Sequence, residues 1–121
     1  VSVIRTGVDL IEVGRVRGAI EKHGDQFLNR IYTENELKDC ADQIPSLAAR
    51  FAAKEATAKA LGTGIGTVSW KEIEVRRGEK REPYLVLYGE AKKLADELRL
   101  HEWSISLSHT HEHAIAFVVA K

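Results

Sequence analysis

Cysteine is nearly missing from this sequence: Cys40 stands alone among 121 residues. A single thiol excludes an internal disulfide framework and a cysteine-rich zinc module. Long apolar runs are missing too, and nothing approaches the ~20 consecutive residues of a membrane-spanning helix. No charged-then-apolar leader is visible, so a cytoplasmic location is the expectation. Net charge is zero, and each half of the chain carries nine basic and nine acidic residues. That balance argues against a nucleic-acid binder that works by bulk positive charge. Any electrostatic function must come from local placement. Repeats, low-complexity tracts and linkers are absent as well. What remains, 44% apolar and 30% charged residues, is the composition of a soluble globular protein. A chain of this length has room for one core, and residues 1–121 are predicted to form one domain.

The order of elements can be read from periodicity. Val1 to Val8 alternates and is β-branched, which predicts a strand. Leu10, Val13, Val16 and Ile20 recur three or four apart, the stripe of an amphipathic helix that Gly24 can end. Phe27, Leu28 and Ile31 suggest a short helical piece. Thr33 followed by Glu36 has the form of a capping box, opening a helix that fades before Pro45. Ser46 can cap a helix over 47–61, where alanine fills positions 48, 49, 52, 53, 56, 58 and 60 and Gly62 suits the C′ position. Beyond it the period changes. Ile73/Val75 and Tyr84 to Leu87 flank a turn at Gly78. Ala91, Leu94, Ala95 and Leu98 form a helical face. Trp103 to Leu107 and Ala114 to Val119 read as a second hairpin. The predicted order is β-α-α-α-β-β-α-β-β, an α+β fold with antiparallel strands and a long central alanine-rich helix.

Several residue groups could carry chemistry. Arg50 and Lys54 are neighbours on the alanine-rich helix, as are Glu55 and Lys59. The plain reading is a solvated face with surface ion pairs of ~0.3–0.5 kcal/mol each. The sharper one is a carboxylate for a hard cation, with cations beside it for phosphate oxygens, since Mg²⁺ uses one or two carboxylates plus phosphates and water. Glu55 then needs a partner, and Asp9 is the candidate. It follows a strand and reads either as the N-cap of the next helix or as a rigidly held metal ligand. Gly62-Thr63-Gly64-Ile65-Gly66 is a helix C-terminal turn or a loop whose backbone N–H groups approach an anion. It matches neither a Walker A loop nor a dinucleotide fingerprint. His109, His111 and His113 alternate, but lack zinc-type spacing. Ser106-Leu107-Ser108-His109-Thr110 puts hydroxyls and an imidazole at a strand end, a suitable lip for phosphate or ribose. Arg15, Arg17, Lys22 and Arg30, with Phe27 among them, read as a wet face or as a dock for an acidic protein. Nothing near Cys40 suggests an activated thiolate.

Three of these segments together resemble a known family. Gly7-Val8-Asp9-Leu10 with Arg15 downstream is similar to the first motif of the small 4′-phosphopantetheinyl transferases. Arg50-Phe51-Ala52-Ala53-Lys54-Glu55-Ala56-Thr57-Ala58-Lys59-Ala60-Leu61-Gly62-Thr63-Gly64-Ile65-Gly66 looks like the second and is far more specific. Ser106-Leu107-Ser108-His109-Thr110 matches the late motif, so the resemblance spans essentially the whole chain.

The resemblance implies transfer of the 4′-phosphopantetheine arm of coenzyme A to a serine of apo-acyl carrier protein, releasing adenosine 3′,5′-bisphosphate, in fatty acid biosynthesis. It implies Asp9 and Glu55 as Mg²⁺ ligands and Lys59 as a catalytic partner that offsets diphosphate charge. It assigns Arg50, Lys54, Gly62, Gly64, Pro83, His109 and Thr110 to coenzyme A, and Arg15, Lys22, Phe27 and Arg30 to the carrier protein. It also implies a homotrimer with sites at subunit boundaries. The serine proton can pass to Glu55 or to a metal-bound water; a carboxylate on a cation is the weaker base, which favours the water. The competing readings are a carrier-protein binder with a decayed site and a Mg²⁺-dependent phosphohydrolase.

Overall fold

The computed structural model describes residues 3–121. In chain order the elements are β1 (Arg5–Glu12), α1 (Val13–His23), α2 (Asp25–Ile31), α3 (Glu34–Cys40) and α4 (Ile44–Leu61). A 3₁₀ turn (Trp70–Glu72) leads to β2 (Ile73–Arg77), β3 (Pro83–Leu87), α5 (Gly89–Glu97), β4 (Trp103–His109) and β5 (His113–Ala120). The α+β architecture, both hairpins and the long alanine-rich helix match the sequence reading. No helix among the described residues is long and apolar enough to cross a membrane.

Strand order in the larger sheet is β1-β5-β4, all antiparallel, while β2 and β3 form a separate hairpin. The inner face of the larger sheet is small: Ala114, Ala116 and Val118 are buried against α4, which presents Ala48, Ala49, Ala52, Ala53, Ala56 and Ala60. Small side chains on both sides let the helix lie close. Gly7 shows how close: a Cβ there would sit 1.8 Å from the Ala56 carbonyl oxygen, so only glycine fits.

The structure changes three local readings. β1 starts at Arg5, and of the expected strand Val1 and Ser2 lie outside the described residues. It runs on to Glu12 because β5 pairs with it without a break, from Arg5 opposite Ala120 to Glu12 opposite His113. Leu10 is therefore a strand residue, and Asp9 is not a helix cap; the N-cap of α1 is Glu12, with no side-chain hydrogen bond. α4 begins at Ile44 with Pro45 in its first turn, so Ser46 is inside the helix; proline fits there because that N–H has no helical partner. Finally, the two helical pieces read at Phe27 to Ile31 and after Thr33 are both present as α2 and α3, so four helices precede β2 where the predicted order counted three.

A buried polar knot ties α3, α4 and β2. Thr33 caps α3 in the expected box with Glu36. Glu36 and Lys54 are both fully buried and paired at 2.7 Å. The Lys54 ammonium also donates to the carbonyls of Trp70, at 3.0 Å, and Ile73. The second carboxylate oxygen of Glu36 accepts the Val75 N–H at 2.9 Å. Burying two charges is tolerable only when their hydrogen bonds are met, and here they are.

Candidate functional site

β1 carries Asp9 on the face that meets α4, between Gly7 and Ile11. The close approach at Gly7 brings the last turns of α4 beside it. Lys59 donates to the Asp9 carboxylate at 3.1 Å and to the Val8 carbonyl at 2.9 Å. Lys59 is half-exposed, so this pair adds little to stability. Glu55 stands one turn earlier on α4. Burial, and then the negative charge of Asp9, push its carboxyl above the usual range, with Lys59 opposing them. Asp9, Glu55 and Lys59 therefore converge from positions some fifty residues apart.

Two carboxylates that repel each other, with one ammonium alongside, leave a demand for positive charge. Their donors are all oxygens, which suits a hard divalent cation. Among the described residues no set of three or more His, Cys, Asp or Glu side chains could hold a metal. Two carboxylates fit Mg²⁺, which keeps waters and takes the rest of its shell from substrate phosphates.

A cavity of about 320 Å³ opens near the other end of α4. Arg50, Pro83 and His109 line it, together with Arg77 and Arg81 from the β2–β3 hairpin. Arg50 is only 3% exposed, yet its Nε has no hydrogen-bond partner. Sequence reasoning did not single out Arg77 and Arg81. Their signal was a basic run around a predicted turn, which by itself reads as a wet hairpin tip. Thr110 sits past the cavity, where its hydroxyl oxygen accepts the N–H groups of Glu112 and His113 and shapes the β4–β5 turn.

Lys54 needs correcting. It was expected to hold phosphate, but its ammonium is buried and committed to Glu36 and two carbonyls. Burial lowers its pKa, against the pull of Glu36. The glycine loop needs a partial correction. Gly62 and Gly64 take φ of 82° and 73°, which favours glycine. The N–H groups of Gly62, Thr63 and Gly64 bond to the carbonyls of Lys59 or Ala58. Those donors close the end of α4 instead of facing an anion.

The expected carrier-protein dock is split. Arg15, Arg17 and Lys22 are exposed on α1, and Arg30 is exposed on α2. Phe27 turns inward, half-buried, with its ring centroid 6.4 Å from Phe51 and 6.3 Å from Tyr32. It is a core contact, not an exposed one. Cys40 is buried, and burial pushes its thiol up to about 11, which agrees with an inert side chain.

Comparison with known proteins covers nearly the whole chain. The sequence profile of the 4′-phosphopantetheinyl transferase superfamily matches residues 5–118. The holo-(acyl-carrier-protein) synthase of Herpetosiphon aurantiacus is 49% identical over 121 residues, spanning 94% of this chain and 95% of that protein. The crystal structure of the Helicobacter pylori holo-(acyl-carrier-protein) synthase in complex with coenzyme A superposes with a TM-score of 0.88 at 32% identity, covering 96% of this chain and 99% of that one. The Bacillus anthracis synthase in complex with CoA (3′,5′-ADP) superposes at 0.76 with 38% identity, covering 96% and 94%.

Proposed function

Because the chain belongs to the 4′-phosphopantetheinyl transferase superfamily, we propose that it is the enzyme that moves the phosphopantetheine arm of coenzyme A onto a serine of apo-acyl carrier protein. The observation that carries this reading is the convergence of Asp9, Glu55 and Lys59 beside β1. The serine oxygen attacks the phosphorus that bears the pantetheine arm. A new P–O bond forms, and the bridging P–O bond breaks. Its electron pair leaves with adenosine 3′,5′-bisphosphate, and the serine proton passes to a base in the site. Such a transfer needs positioning and charge neutralisation more than covalent help.

Asp9 and Glu55 would hold Mg²⁺, which when bound supplies charge neutralisation at the diphosphate. Lys59 does two things: it fixes the Asp9 carboxylate and puts a further positive charge beside the diphosphate. Arg50 and His109 bind the phosphate on the nucleotide end, and the Pro83 ring lines the same cavity for the adenine. Gly62 and Gly64 close the end of α4 after Lys59, and Lys54 anchors α4 to α3 and β2.

The outer face of the larger sheet supports a homotrimer. Val8 lies opposite Phe117 and Leu10 opposite Ile115, all exposed, Leu10 at 64%. A contiguous apolar sheet face asks for a cover, and a second copy of this chain is the cover that also places β1 and Asp9 next to a subunit boundary. A monomer in sedimentation velocity at enzyme-assay concentration would overturn this part. Arg15, Arg17 and Lys22 would receive the carrier protein. The reading places the enzyme in the cytoplasm, supplying holo-carrier for fatty acid synthesis.

Intact mass of apo-acyl carrier protein incubated with the enzyme, CoA and Mg²⁺ tests the reaction. A gain of one phosphopantetheine arm on the acceptor serine is expected. No gain despite binding of both substrates would mean a non-catalytic carrier binder, and CoA breakdown without carrier would mean a hydrolase.

A further inference from the structure

We propose that Arg5 is a positioning residue for the transfer: it clamps the carbonyl end of α4 to β1 and so keeps the Lys59 ammonium seated on Asp9. The proposal rests on the transferase reading and adds a residue that touches no substrate but on which the geometry of that site depends.

Alternate strand residues share a face, so Arg5, Gly7 and Asp9 all turn towards α4. Asp9 takes the Lys59 ammonium at 3.1 Å. Gly7 admits the helix backbone: a Cβ there would also meet the Ala60 nitrogen at 3.2 Å. Arg5 completes the row, its Nη1 donating to the Ala60 carbonyl at 3.4 Å. Ala60 follows Lys59 directly in the chain. One strand therefore holds two neighbouring residues of the helix, Lys59 by its ammonium and Ala60 by its peptide.

The end of α4 needs this clamp. A helix leaves its last four carbonyls without helical donors. Here the N–H groups of Gly62, Thr63 and Gly64 go to Lys59 or Ala58, which leaves the Ala60 carbonyl to Arg5. A guanidinium in that place also meets the negative end of the helix dipole. Among the described residues no carboxylate lies within ion-pair distance of Arg5, so nothing draws its charge away. Gly62 makes room for it, since a Cβ at Gly62 would stand 3.0 Å from Nη1, inside ordinary contact. Gly62 is thus fixed twice, by its φ of 82° and by the guanidinium across it. Lys59 cannot supply the restraint itself. Its side chain is 53% exposed, and a long ammonium chain keeps much of its rotamer freedom unless the turn that carries it is held. A displacement of about 1 Å at a charge that must meet the reacting phosphate is enough to slow transfer severely.

The test compares the unaltered enzyme with Arg5→Met and Arg5→Lys, and places Arg5→Met in a Lys59→Met background as well. Arg5→Met keeps the bulk and loses the charge. It should lower kcat about tenfold and leave KM for coenzyme A and for the carrier within about twofold, because Arg5 touches neither. Arg5→Lys can still donate to the Ala60 carbonyl and should bring kcat back to within about threefold. In the Lys59→Met background, Arg5→Met should change kcat by less than about twofold, because a residue that acts through Lys59 has nothing left to position. An equal fall in both backgrounds, or no fall in either, overturns the proposal. Hydrogen exchange reads the clamp without turnover. The amides of Gly62, Thr63 and Gly64 should exchange about tenfold faster in Arg5→Met but not in Arg5→Lys, while those of Ala52 and Ala53 keep their protection. Unchanged exchange at the three amides, or faster exchange throughout α4, also overturns the proposal. If the unaltered enzyme transfers nothing, the transferase reading fails instead, and the exchange arm still decides whether Arg5 clamps the helix.

Discussion

Lys54 and Lys59 lie on one helix, five residues apart, and have opposite fates. Five residues turn an α-helix by roughly 140° past a full circle, so the two ammoniums leave on different sides. Lys54 enters the knot with Glu36 and two carbonyls and is fully buried. Lys59 comes out beside β1 and shares Asp9 while 53% of its side chain stays exposed. In the first region every donor is used inside the protein, and the charges act on the fold. In the second, Asp9 and Glu55 repel one another and the local charge is unbalanced, a state that a bound ligand relieves. The difference shows how to tell structural ions from functional ones: satisfied and dry against unsatisfied and wet.

The sharpest way to break that comparison is to remove the acid that organises the open region. Asp9→Ala should lower turnover by about 10³-fold or more, the scale of losing a preorganised charge at a phosphoryl-transfer site. Its melting temperature should stay within a few degrees, because the Asp9–Lys59 pair is worth well under 1 kcal/mol. Radiolabelled coenzyme A and carrier protein measure the first, and a thermal melt the second. Retained activity in Mg²⁺ would remove Asp9 from the site.

Exchanging the roles of the lysines comes next. Lys54→Met strands the buried Glu36 carboxylate, which should cost about 3–5 kcal/mol in urea unfolding. Lys54→Met with Glu36→Leu should recover part of that loss. Lys59→Met should move stability by less than about 0.5 kcal/mol yet depress turnover clearly. Equal stability losses for both single variants would show that the two regions do not differ as described.

Arg15 belongs to neither region, and its effect should be smaller and confined to one substrate. Arg15→Glu is expected to raise KM for the carrier about tenfold at low salt, with little change for coenzyme A, and the gap should close as salt rises. Equal effects on both substrates would place the carrier elsewhere.

The two regions were unequally legible in the sequence. The contiguous motif 50–66 and the capping box at Thr33 announce themselves because their partners are near in sequence. Glu36 illustrates the limit: its bond to the Thr33 N–H is local, whereas its pairing with Lys54 spans eighteen residues and is visible only once α3 and α4 meet. Lys54 consequently looked like a phosphate ligand. Leu10 misled for another reason. Val8 and Leu10 are apolar on the exposed sheet face, and Leu10 happens to continue the helical spacing of Val13 and Val16. Phe27 was placed outward because arginines flank it, but Phe51 and Tyr32 draw it in. Arg77 and Arg81 acquire meaning only through the strand alternation and turn closure that aim them.

The smallest effect should come from the edge of the sealed region, at Glu74. Burial alone would push its carboxyl up, but hydrogen bonds from Thr33, Tyr88 and Asn35 outweigh it and hold the group below its ordinary 4.5. A carboxyl lowered in the folded state contributes stability above 4.5 that is lost as pH falls through the lowered value, because there the unfolded chain binds the extra proton. Glu74→Gln keeps the shape and removes the charge. It should cost about 1–2 kcal/mol at neutral pH and flatten the fall in stability below pH 4.5, read from urea unfolding across pH 3 to 7. If the Glu74→Gln slope matches that of the unaltered protein, Glu74 only packs.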